Sequence, residues 1–437
     1  MTELYWFRND LRIEDNPGLA VHAEASRLLC VYFWPRQIPW CNLTGMGEQR
    51  KRFLLETLAA LQAELRERDQ ELMVLHGSPA RWLPELVERF SVRRAGVSRV
   101  PGVYERWEVD RVARVLEIPL LVHEGNTLFS AAQLPRTSAG LPRQYAPFRR
   151  LVEDLRSASP RGETLLPPRP DRVNAETVAN LGARPHPAFV VRGGSAAGRE
   201  RLHAWMLRER AVDTYKATRN QLEGLFYASF LSPWLATGAL SIRRVAETLL
   251  EYERTYGSNE STRHLYSEFL WREFFHWRAY EDGQTLFRPS GRGRRRHLRT
   301  FEPRNFARWC AGATDYPLVN ALMHQLVAPG WMSNRGRQIA ASCLVNELNL
   351  DWRYGAAFFE KHLLDYDVAS NYGNWQYIAG VGADPRGGRH FNIEKQASLY
   401  DPDGEFVQRW RGECAPQPEF IADAADWPIA EVPVEPP

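Results

Sequence analysis

The first part of the chain alternates short apolar segments with segments of helical periodicity. The apolar segments are Leu4–Phe7, Leu28–Phe33, Leu72–Leu75, Ala95–Val97 and Leu120–Val122. Between the second and third of these, Gly47–Arg68 carries leucines at the spacing of one helix face, with Arg and Glu on the other face. This alternation is typical of βαβ units. We therefore predict an α/β domain with a parallel, Rossmann-like sheet over residues 1–128.

The pattern changes in the middle of the chain. Pro, Arg and Ala dominate residues 129–195, which predicts an extended connector. Strand patterns then disappear, and long amphipathic segments follow at Ile242–Tyr256, Glu268–Tyr280, Pro317–Val327, Arg337–Leu348 and Arg353–Leu364. We predict an all-α domain over residues 196–425 and a disordered, Pro-rich acidic tail over residues 426–437.

Composition narrows the class of protein. The chain has 437 residues, of which 44% are hydrophobic, so it can bury a full core. No stretch approaches the ~20 uninterrupted apolar residues of a membrane span, and the N-terminus lacks the layout of a secretory signal. The cysteines are scattered without a CxxC pair, at Cys30, Cys41, Cys310, Cys343 and Cys414. We expect a monomeric, cytoplasmic protein with reduced cysteines and no metal.

The second domain carries polar residues inside apolar helical sequence, whereas the first has no GxGxxG or P-loop motif. One cluster contains Asn334, Arg337 and Gln338, and another contains Asp365, Asp367 and Asn371 beside Trp375 and Tyr377. Because a buried charge needs a partner, we predict a pair between Arg337 and Asp365. A structural salt bridge between two helices would explain that pair alone. A pocket for a ring-shaped ligand with polar groups would explain the whole cluster.

Longer segments resemble the photolyase/cryptochrome family. WFRNDLRIEDNPGL is similar to the family's opening signature, and its FAD-domain motifs resemble YASFLSPWLATGALS, EFLWREFFHW, WMSNRGRQIAASCLVNELNLDWR and DYDVASNYGNWQYIAGVGADPR. The motifs occur in the expected order. The resemblance implies the photolyase fold, with a helical FAD-binding domain after the α/β domain. It also implies blue-light-driven repair of cyclobutane pyrimidine dimers in DNA, by electron transfer from reduced FAD to a flipped-out dimer.

The resemblance assigns a set of residues to FAD. The phosphate-binding segment corresponds to Tyr215 and to Ala228, Ser229, Phe230, Leu231 and Ser232. Ala228 stands where the family commonly has Thr, so one hydroxyl contact is missing. The residues expected around the flavin ring and ribose are Glu268, Arg337, Asp365, Asp367 and Asn371, with Asn371 facing flavin N5.

A second set is assigned to the DNA lesion. Glu268, Trp271 and Asn334 match residues that contact a flipped pyrimidine dimer. Ordinary dimer photolyases have Met and Trp where this chain has Gln338 and Tyr377, which are typical of the DASH branch. That branch prefers single-stranded DNA, and a smaller stacking wall fits this preference. Photolyases of pyrimidine-pyrimidone photoproducts place a His near the position of Asn334, so that substrate is disfavoured.

Electron supply and DNA contact are also implied. Trp375 and Trp352 match the first two members of the family's tryptophan relay, but Arg299 stands near the third position, leaving Trp309 as either a substitute or a core residue. The DNA-facing rim is expected to include Arg219, Arg272, Asn334, Arg335 and Gln396. The basic segment Gly291–Arg299 is either a further phosphate contact or a solvated loop.

The antenna site and the biological role leave alternatives. Relatives bind a folate (methenyltetrahydrofolate) or a deazaflavin in the first domain, but the acidic pair used for folate aligns with Asp110 and Arg111, which reverses one charge. The competing function is a blue-light receptor that repairs nothing. The retained lesion residues and the lack of a long extension after Trp410 favour repair. A flavoprotein reductase would need a nicotinamide site, for which no motif is seen.

Overall fold

The computed structural model describes residues 1–35, 46–135, 140–173, 175–178, 184–292, 302–383 and 387–418. Its first part contains a parallel 5-stranded sheet with the strand order β3-β2-β1-β4-β5. The strands are β1 (Thr2–Phe7), β2 (Arg27–Phe33), β3 (Leu72–Leu75), β4 (Val92–Ser98) and β5 (Leu120–His123). The predicted parallel Rossmann-like sheet is therefore confirmed, and each strand contains the apolar segment that predicted it.

Helices cover both faces of the sheet. They are α1 (Pro17–His22), α2 (Glu48–Arg66), α3 (Pro79–Phe90) and α4 (Val103–Val115). On one face, Leu58 and Leu65 of α2 pack in a cluster with Tyr5 of β1. On the other, Leu83 of α3 packs in a cluster with Trp6. Consecutive side chains of a strand point to opposite faces, which explains why these strands are apolar along most of their length.

After the sheet, all the regular elements in the described ranges are helical. The α-helices are α5 (Tyr145–Val152), α6 (Ser195–His203), α7 (Tyr215–Thr218), α8 (Ser232–Thr237), α9 (Ile242–Tyr256), α10 (Glu260–Asp282), α11 (Pro303–Ala311), α12 (Pro317–Val327), α13 (Asn334–Ser342), α14 (Trp352–His362), α15 (Val368–Ala379), α16 (Ile393–Tyr400) and α17 (Glu405–Arg409). The all-α character of this part is confirmed. The helix predicted at Arg337–Leu348 differs, because α13 begins at Asn334 and passes at Cys343 into a π-helical turn, Cys343–Glu347.

Helix α5 lies inside the segment predicted as an extended connector. It has only eight residues, too few to show a repeat against the surrounding Pro- and Arg-rich sequence. Its Phe148 is fully buried, with a ring centroid 5.4 Å from that of Phe274 on α10. Tertiary packing on α10 therefore supplies the stability that a helix of this length lacks on its own.

Charged contacts join the α/β part to the helical part. Asp15 is fully buried and accepts hydrogen bonds from the Arg243 guanidinium at 2.9 and 3.0 Å. Arg12 donates to the backbone carbonyl of Gly238 at 2.8 Å. None of the helices in the described ranges has the length and apolar character needed to span a bilayer.

A carboxylate at the contact between α2 and α14 predicts a pH effect on stability. Glu360 accepts a hydrogen bond from Tyr372 at 3.0 Å, and burial raises its pKa from 4.5 to about 7. Between those values the folded state holds a proton that the unfolded state has released, so the free energy of unfolding decreases as pH rises, by at most ~1.4 kcal/mol per pH unit.

We expect Glu360→Gln, which imitates the protonated form, to reduce this loss. The measurement is the difference in melting temperature between the variant and the wild type from pH 4.5 to pH 8. The difference should shift in favour of the variant as pH rises. A difference that stays constant over that range would contradict the assignment.

Candidate active site

A cavity of about 530 Å³ lies within the helical part. Its volume is in the range of sites for small molecules and cofactors. Residues from α7, α8, α10, α13 and α15 line it together with the loop before α8. Every residue predicted to bind the cofactor lines this cavity, and so does every residue predicted to contact the lesion. Tertiary structure thus brings together positions that the sequence spreads from Tyr215 to Tyr377.

The predicted pair between Arg337 and Asp365 is formed. The Arg337 Nη2 donates to both carboxylate oxygens of Asp365, at 3.0 and 2.9 Å. Its Nε donates to the carbonyl of Met332, and its guanidinium lies 5.0 Å from the ring centroid of Trp331. The Asp365 side chain is only 4% exposed. These contacts leave the pair oriented on the cavity wall, where it can hydrogen-bond a polar ring.

Asp367 combines a structural role with a position on the cavity wall. It is the N-cap of α15, and its Oδ1 accepts from the backbone N–H of Ser370 at 2.7 Å and lies 3.1 Å from His276 Nε2. Burial alone would raise the pKa of Asp367, but His276, Arg272 and the Ser370 N–H lower it well below its ordinary value. The carboxylate is therefore ionised at neutral pH. His276 was not predicted from the sequence, since a His on an apolar helix face is more often a core residue.

Asn371 lies on the first turns of the same helix. Its Nδ2 donates to the carbonyl of Ala356 at 2.9 Å, which fixes the amide plane against α14. Asn371 is buried and lines the cavity. An amide held in this way can present its remaining polar groups to a bound ring without losing further side-chain entropy.

The loop before α8 contains the segment predicted to bind phosphates. Phe230 has a φ of 57°, a conformation that non-glycine residues adopt rarely. Arg201 supports the loop by donating to the carbonyls of Ser229 and Ala228, at 2.9 and 3.1 Å. Within the described residues, the backbone N–H of Ser232 at the start of α8 donates no hydrogen bond. Free N–H groups in this position favour an anion.

These features fit FAD. A diphosphate would need the donors of the loop before α8, and an isoalloxazine ring would need an aromatic-lined space with fixed hydrogen-bonding groups. Ser229 and Ser232 supply donors for the diphosphate. Arg337, Asp365 and Asn371 supply the fixed hydrogen-bonding groups for the isoalloxazine ring. The methyl group of Ala228 in place of a hydroxyl removes one donor from this set.

Glu268 lies in a polar cluster on α10, on the wall of the same cavity. Its carboxylate contacts the Arg219 guanidinium and lies 3.2 Å from His264 Nε2. The side chain of Glu268 is 30% exposed and that of Arg219 is 18% exposed. The contact with Arg219 orients the carboxylate while leaving part of it open to the cavity. The motif match did not identify His264, although it lies one helical turn before Glu268.

Trp271 is the centre of an aromatic wall. Tyr145 of α5 stacks on it face to face, with ring centroids 3.7 Å apart and an interplanar angle of 9°. Tyr377 meets it edge to face at 5.8 Å. The Tyr145 hydroxyl donates to the carbonyl of Ser267 at 2.8 Å, which anchors the stack. Tyr145 lies in the segment predicted as connector, so the sequence pattern did not identify it.

Asn334 and Gln338 complete the lining on α13. Ser333 caps this helix by accepting a hydrogen bond from the N–H of Gly336 at 3.0 Å. The cap places Asn334 on the first turn, where its side chain is exposed. Gln338 follows one turn later on the same face. The Tyr377 hydroxyl on the neighbouring α15 contacts Arg389, a residue that the sequence also left unassigned.

The predicted relay tryptophans are all buried. Trp309 lies beside Trp375, with ring centroids 6.2 Å apart, and is fully buried. Its indole N–H donates to the carbonyl of Ala340 at 3.1 Å. Trp309 therefore does not extend the relay from Trp352 towards solvent, and its position favours the core interpretation. Trp352 instead neighbours Tyr372, at 6.2 Å.

The residues predicted at the DNA-facing rim occupy different environments. Arg219, Arg272 and Asn334 line the cavity, whereas Arg335 and Gln396 lie outside it. Arg272 donates to the carbonyl of Asn126 at 2.7 Å and so also joins the two parts of the fold. Arg335 lies 5.1 Å from the ring of Tyr400. Residues 293–299 of the predicted basic loop and the predicted tail lie outside the described residues.

The described residues contain no group of His, Cys, Asp and Glu placed to hold a metal ion.

A family model described as the FAD binding domain of DNA photolyase matches residues 265–431, and one described as DNA photolyase matches residues 3–169. The chain is 44% identical to a cryptochrome DASH of Idiomarina loihiensis, over 98% of this chain and 96% of the relative. The chain belongs to the photolyase/cryptochrome family. Its predicted FAD-binding domain is thereby confirmed.

Other members of the photolyase/cryptochrome family agree in sequence and fold. A cryptochrome DASH of Vibrio parahaemolyticus is 41% identical, over 98% of this chain and 97% of the relative. The solved structure of a Synechocystis cryptochrome matches with a TM-score of 0.87 and 33% identity, over 94% of this chain and 88% of that chain. The solved structure of a class III photolyase of Agrobacterium tumefaciens matches with a TM-score of 0.81 and 26% identity, over 94% of this chain and 86% of that chain. The resemblance to the DASH branch is therefore confirmed, and the fold is that of photolyases.

Proposed function

We propose that this protein repairs cyclobutane pyrimidine dimers under blue light, with single-stranded DNA as its preferred substrate. The observation that carries the proposal is one cavity that joins two sets of residues. Arg337, Asp365 and Asn371 fit a flavin ring, while Glu268 and Trp271 fit a pyrimidine base. A lesion in the second set would lie next to a cofactor held by the first.

The chain's own residues bind and orient the lesion. When bound and reduced, FAD supplies one electron to the dimer under blue light and recovers it after the two cyclobutane bonds have broken, so that no net oxidation occurs. Trp271 and Tyr377 form an apolar corner against which a flipped pyrimidine can stack. Glu268 offers a carboxylate to the N–H groups of the bases, and Asn334 offers an amide from the opposite helix.

The proposed preference for single strands rests on the cost of base flipping. Extracting a dimer from a duplex costs a few kcal/mol, and a single strand lowers that cost. Tyr377 presents a smaller stacking surface than Trp would, so stacking against Tyr377 and Trp271 offsets less of the free energy of flipping the dimer out of a duplex. Arg219, Arg272, Arg335 and Gln396 are proposed to contact the DNA backbone around the cavity, with salt-dependent affinity.

The proposal also covers the antenna chromophore, the cellular location and the oligomeric state. The solved structure of an archaeal photolyase from Sulfolobus tokodaii, in which two FAD molecules imply a novel light-harvesting cofactor, is 28% identical with a TM-score of 0.73, over 94% of this chain and 90% of that chain. We propose an antenna chromophore in the α/β part here too, either a folate or a deazaflavin. Asp110 is exposed on α4 beside Arg111, so an acidic folate-binding pair is not formed by these two residues. We propose that the protein acts as a cytoplasmic monomer.

The deciding experiment measures repair of one thymine dimer in matched single- and double-stranded oligonucleotides. Purified protein with reduced flavin is illuminated with blue light, and a dark sample is the control. Repair of the single strand alone is the expected result. Equal repair of both would indicate a conventional photolyase. Failure to repair either, with flavin bound and photoreducible, would favour the photoreceptor alternative.

Glu268→Gln is expected to slow single-turnover repair about fivefold, since a neutral amide replaces a charged acceptor at a cost of about 1 kcal/mol. FAD content should stay near that of the wild type, because the amide keeps an acceptor oxygen at this position and because Arg337 and Asp365 remain. Glu260→Gln is the matched control, as Glu260 starts the same helix but is 73% exposed and pairs with Lys216. Equal repair rates for the two variants would show that Glu268 does not contact the lesion.

A further inference from the structure

The electron relay of this chain lacks its third tryptophan in the sequence, and the structure offers another redox-active ring. Among the residues that the structure describes, Tyr372 is an aromatic neighbour of Trp352, at 6.2 Å and an interplanar angle of 77°. Both rings are 1% exposed. The Trp352 indole N–H donates to the carbonyl of Pro289 at 3.1 Å, which fixes the ring in this orientation. Tyr372 therefore lies within electron-transfer distance of a residue assigned to the relay.

Tyr372 also has the partner that its oxidation requires. A phenol that loses an electron becomes strongly acidic and must transfer its proton. The Tyr372 hydroxyl donates a hydrogen bond to Glu360 Oε2 at 3.0 Å. A carboxylate hydrogen-bonded to a buried phenol can accept that proton without any rearrangement.

A purely structural explanation accounts for less of this arrangement. A phenol hydroxyl in the core needs one acceptor, and a backbone carbonyl or a neutral side chain would satisfy it. A partly buried carboxylate in that place costs free energy, and the neighbouring Arg50 offsets only part of this cost, since the pKa of Glu360 remains raised to about 7. The contact with Trp352 would then be incidental. Proton-coupled oxidation of Tyr372 explains the ring contact and the carboxylate together.

We propose that Tyr372, with Glu360 as its proton acceptor, is the redox residue that follows Trp352 in the relay. The oxidant is the photoexcited oxidised flavin, acting through Trp375 and Trp352. One electron moves from Tyr372 to the Trp352 radical cation, and the hydroxyl proton moves to Glu360. The products are neutral Trp352, a neutral tyrosyl radical and a protonated carboxyl group.

The cycle closes with an external reductant of the thiol class. A thiolate supplies one electron to the tyrosyl radical and becomes a thiyl radical, while Glu360 returns the proton to the phenolate oxygen. Two thiyl radicals then combine to form a disulfide. The rings of Phe287, Tyr104 and Trp107 continue from Tyr372 at centroid distances of 4.6, 5.2 and 5.3 Å. Trp107 is partly exposed on α4, so this series leads from the buried phenol to the surface.

The proton acceptor must be ionised when the test is made. Arg50, Tyr366, Tyr372 and Glu105 are the titratable groups that influence Glu360, and burial raises its pKa to about 7. Illumination at a pH of about 8 therefore leaves most of Glu360 as carboxylate. No DNA is needed, so the result does not depend on whether the protein repairs dimers.

The experiment traps radicals by freezing during illumination of the FAD-bound protein and identifies them by electron paramagnetic resonance. Protein with ring-deuterated tyrosine distinguishes a tyrosyl from a tryptophanyl signal. We expect a tyrosyl signal in the wild type that is lost in Tyr372→Phe, which keeps the ring but not the hydroxyl. Tyr354→Phe is the matched control, a buried tyrosine on α14 whose ring contacts Phe306, and it should keep the signal.

Glu360→Gln tests the proton acceptor separately. It keeps the ring contact between Tyr372 and Trp352 but removes the base, so the tyrosyl yield should fall about a hundredfold. FAD absorbance and the melting temperature verify that each variant is folded and loaded. A wild type without a tyrosyl signal, a signal that survives Tyr372→Phe, or a signal lost in Tyr354→Phe would each overturn the proposal.

Discussion

Asp365→Ala is expected to leave the purified protein with little bound FAD. The Asp365 side chain is 4% exposed and accepts two hydrogen bonds from Arg337. Removing one partner of such a pair leaves a guanidinium without compensation, at a cost of about 3 kcal/mol or more. The Asp365 carboxylate is also a charged hydrogen-bonding group on the cavity wall, and losing one such bond to the flavin costs about 1.5–3 kcal/mol, which corresponds to a roughly 10- to 100-fold weaker affinity for the cofactor. Flavin absorbance relative to protein absorbance measures the loss.

Asp365→Asn distinguishes the effect of losing the carboxylate charge from the effect of losing the side-chain volume. Asp365→Asn keeps one acceptor oxygen for Arg337 and nearly the same volume, so FAD content should fall less than in Asp365→Ala. Far-ultraviolet circular dichroism of both variants checks that the helices persist. Full FAD occupancy in Asp365→Ala would show that the pair stabilises the helices without holding the flavin.

Trp271→Ala is expected to weaken binding of a dimer-containing single strand about 10- to 100-fold. Stacking of one base on an aromatic side chain contributes about 1–3 kcal/mol. The change would also remove the surface on which Tyr145 stacks and one side of the corner formed with Tyr377. Fluorescence anisotropy with labelled oligonucleotides gives both dissociation constants.

An undamaged oligonucleotide of the same sequence serves as the matched control. Its affinity should change little in Trp271→Ala, because backbone contacts by basic residues need no flipped base. Trp271→Phe should lie between the alanine variant and the wild type. Equal losses for damaged and undamaged strands would place Trp271 in general DNA binding and remove it from the lesion pocket.

Several elements were predictable because their signals are local. The five strands are short apolar runs, and α9 and α12 were predicted with the bounds that the structure has. Helix α5 was missed because its eight residues lie in Pro- and Arg-rich sequence and depend on packing against α10. The end of α13 was also missed, since its π-helical turn continues the helical pattern of apolar residues.

The sequence by itself determined the sheet, the helical FAD-binding part and the residue types that line its cavity, because periodicity and motifs are carried by neighbouring positions. It also predicted the pair between Arg337 and Asp365, since a buried charge requires a partner. Only the tertiary structure decided which distant side chains meet. Tyr145 stacks on Trp271, His276 contacts Asp367, and Trp309 packs on Trp375. Such contacts depend on how helices pack against one another, and no local pattern records that packing.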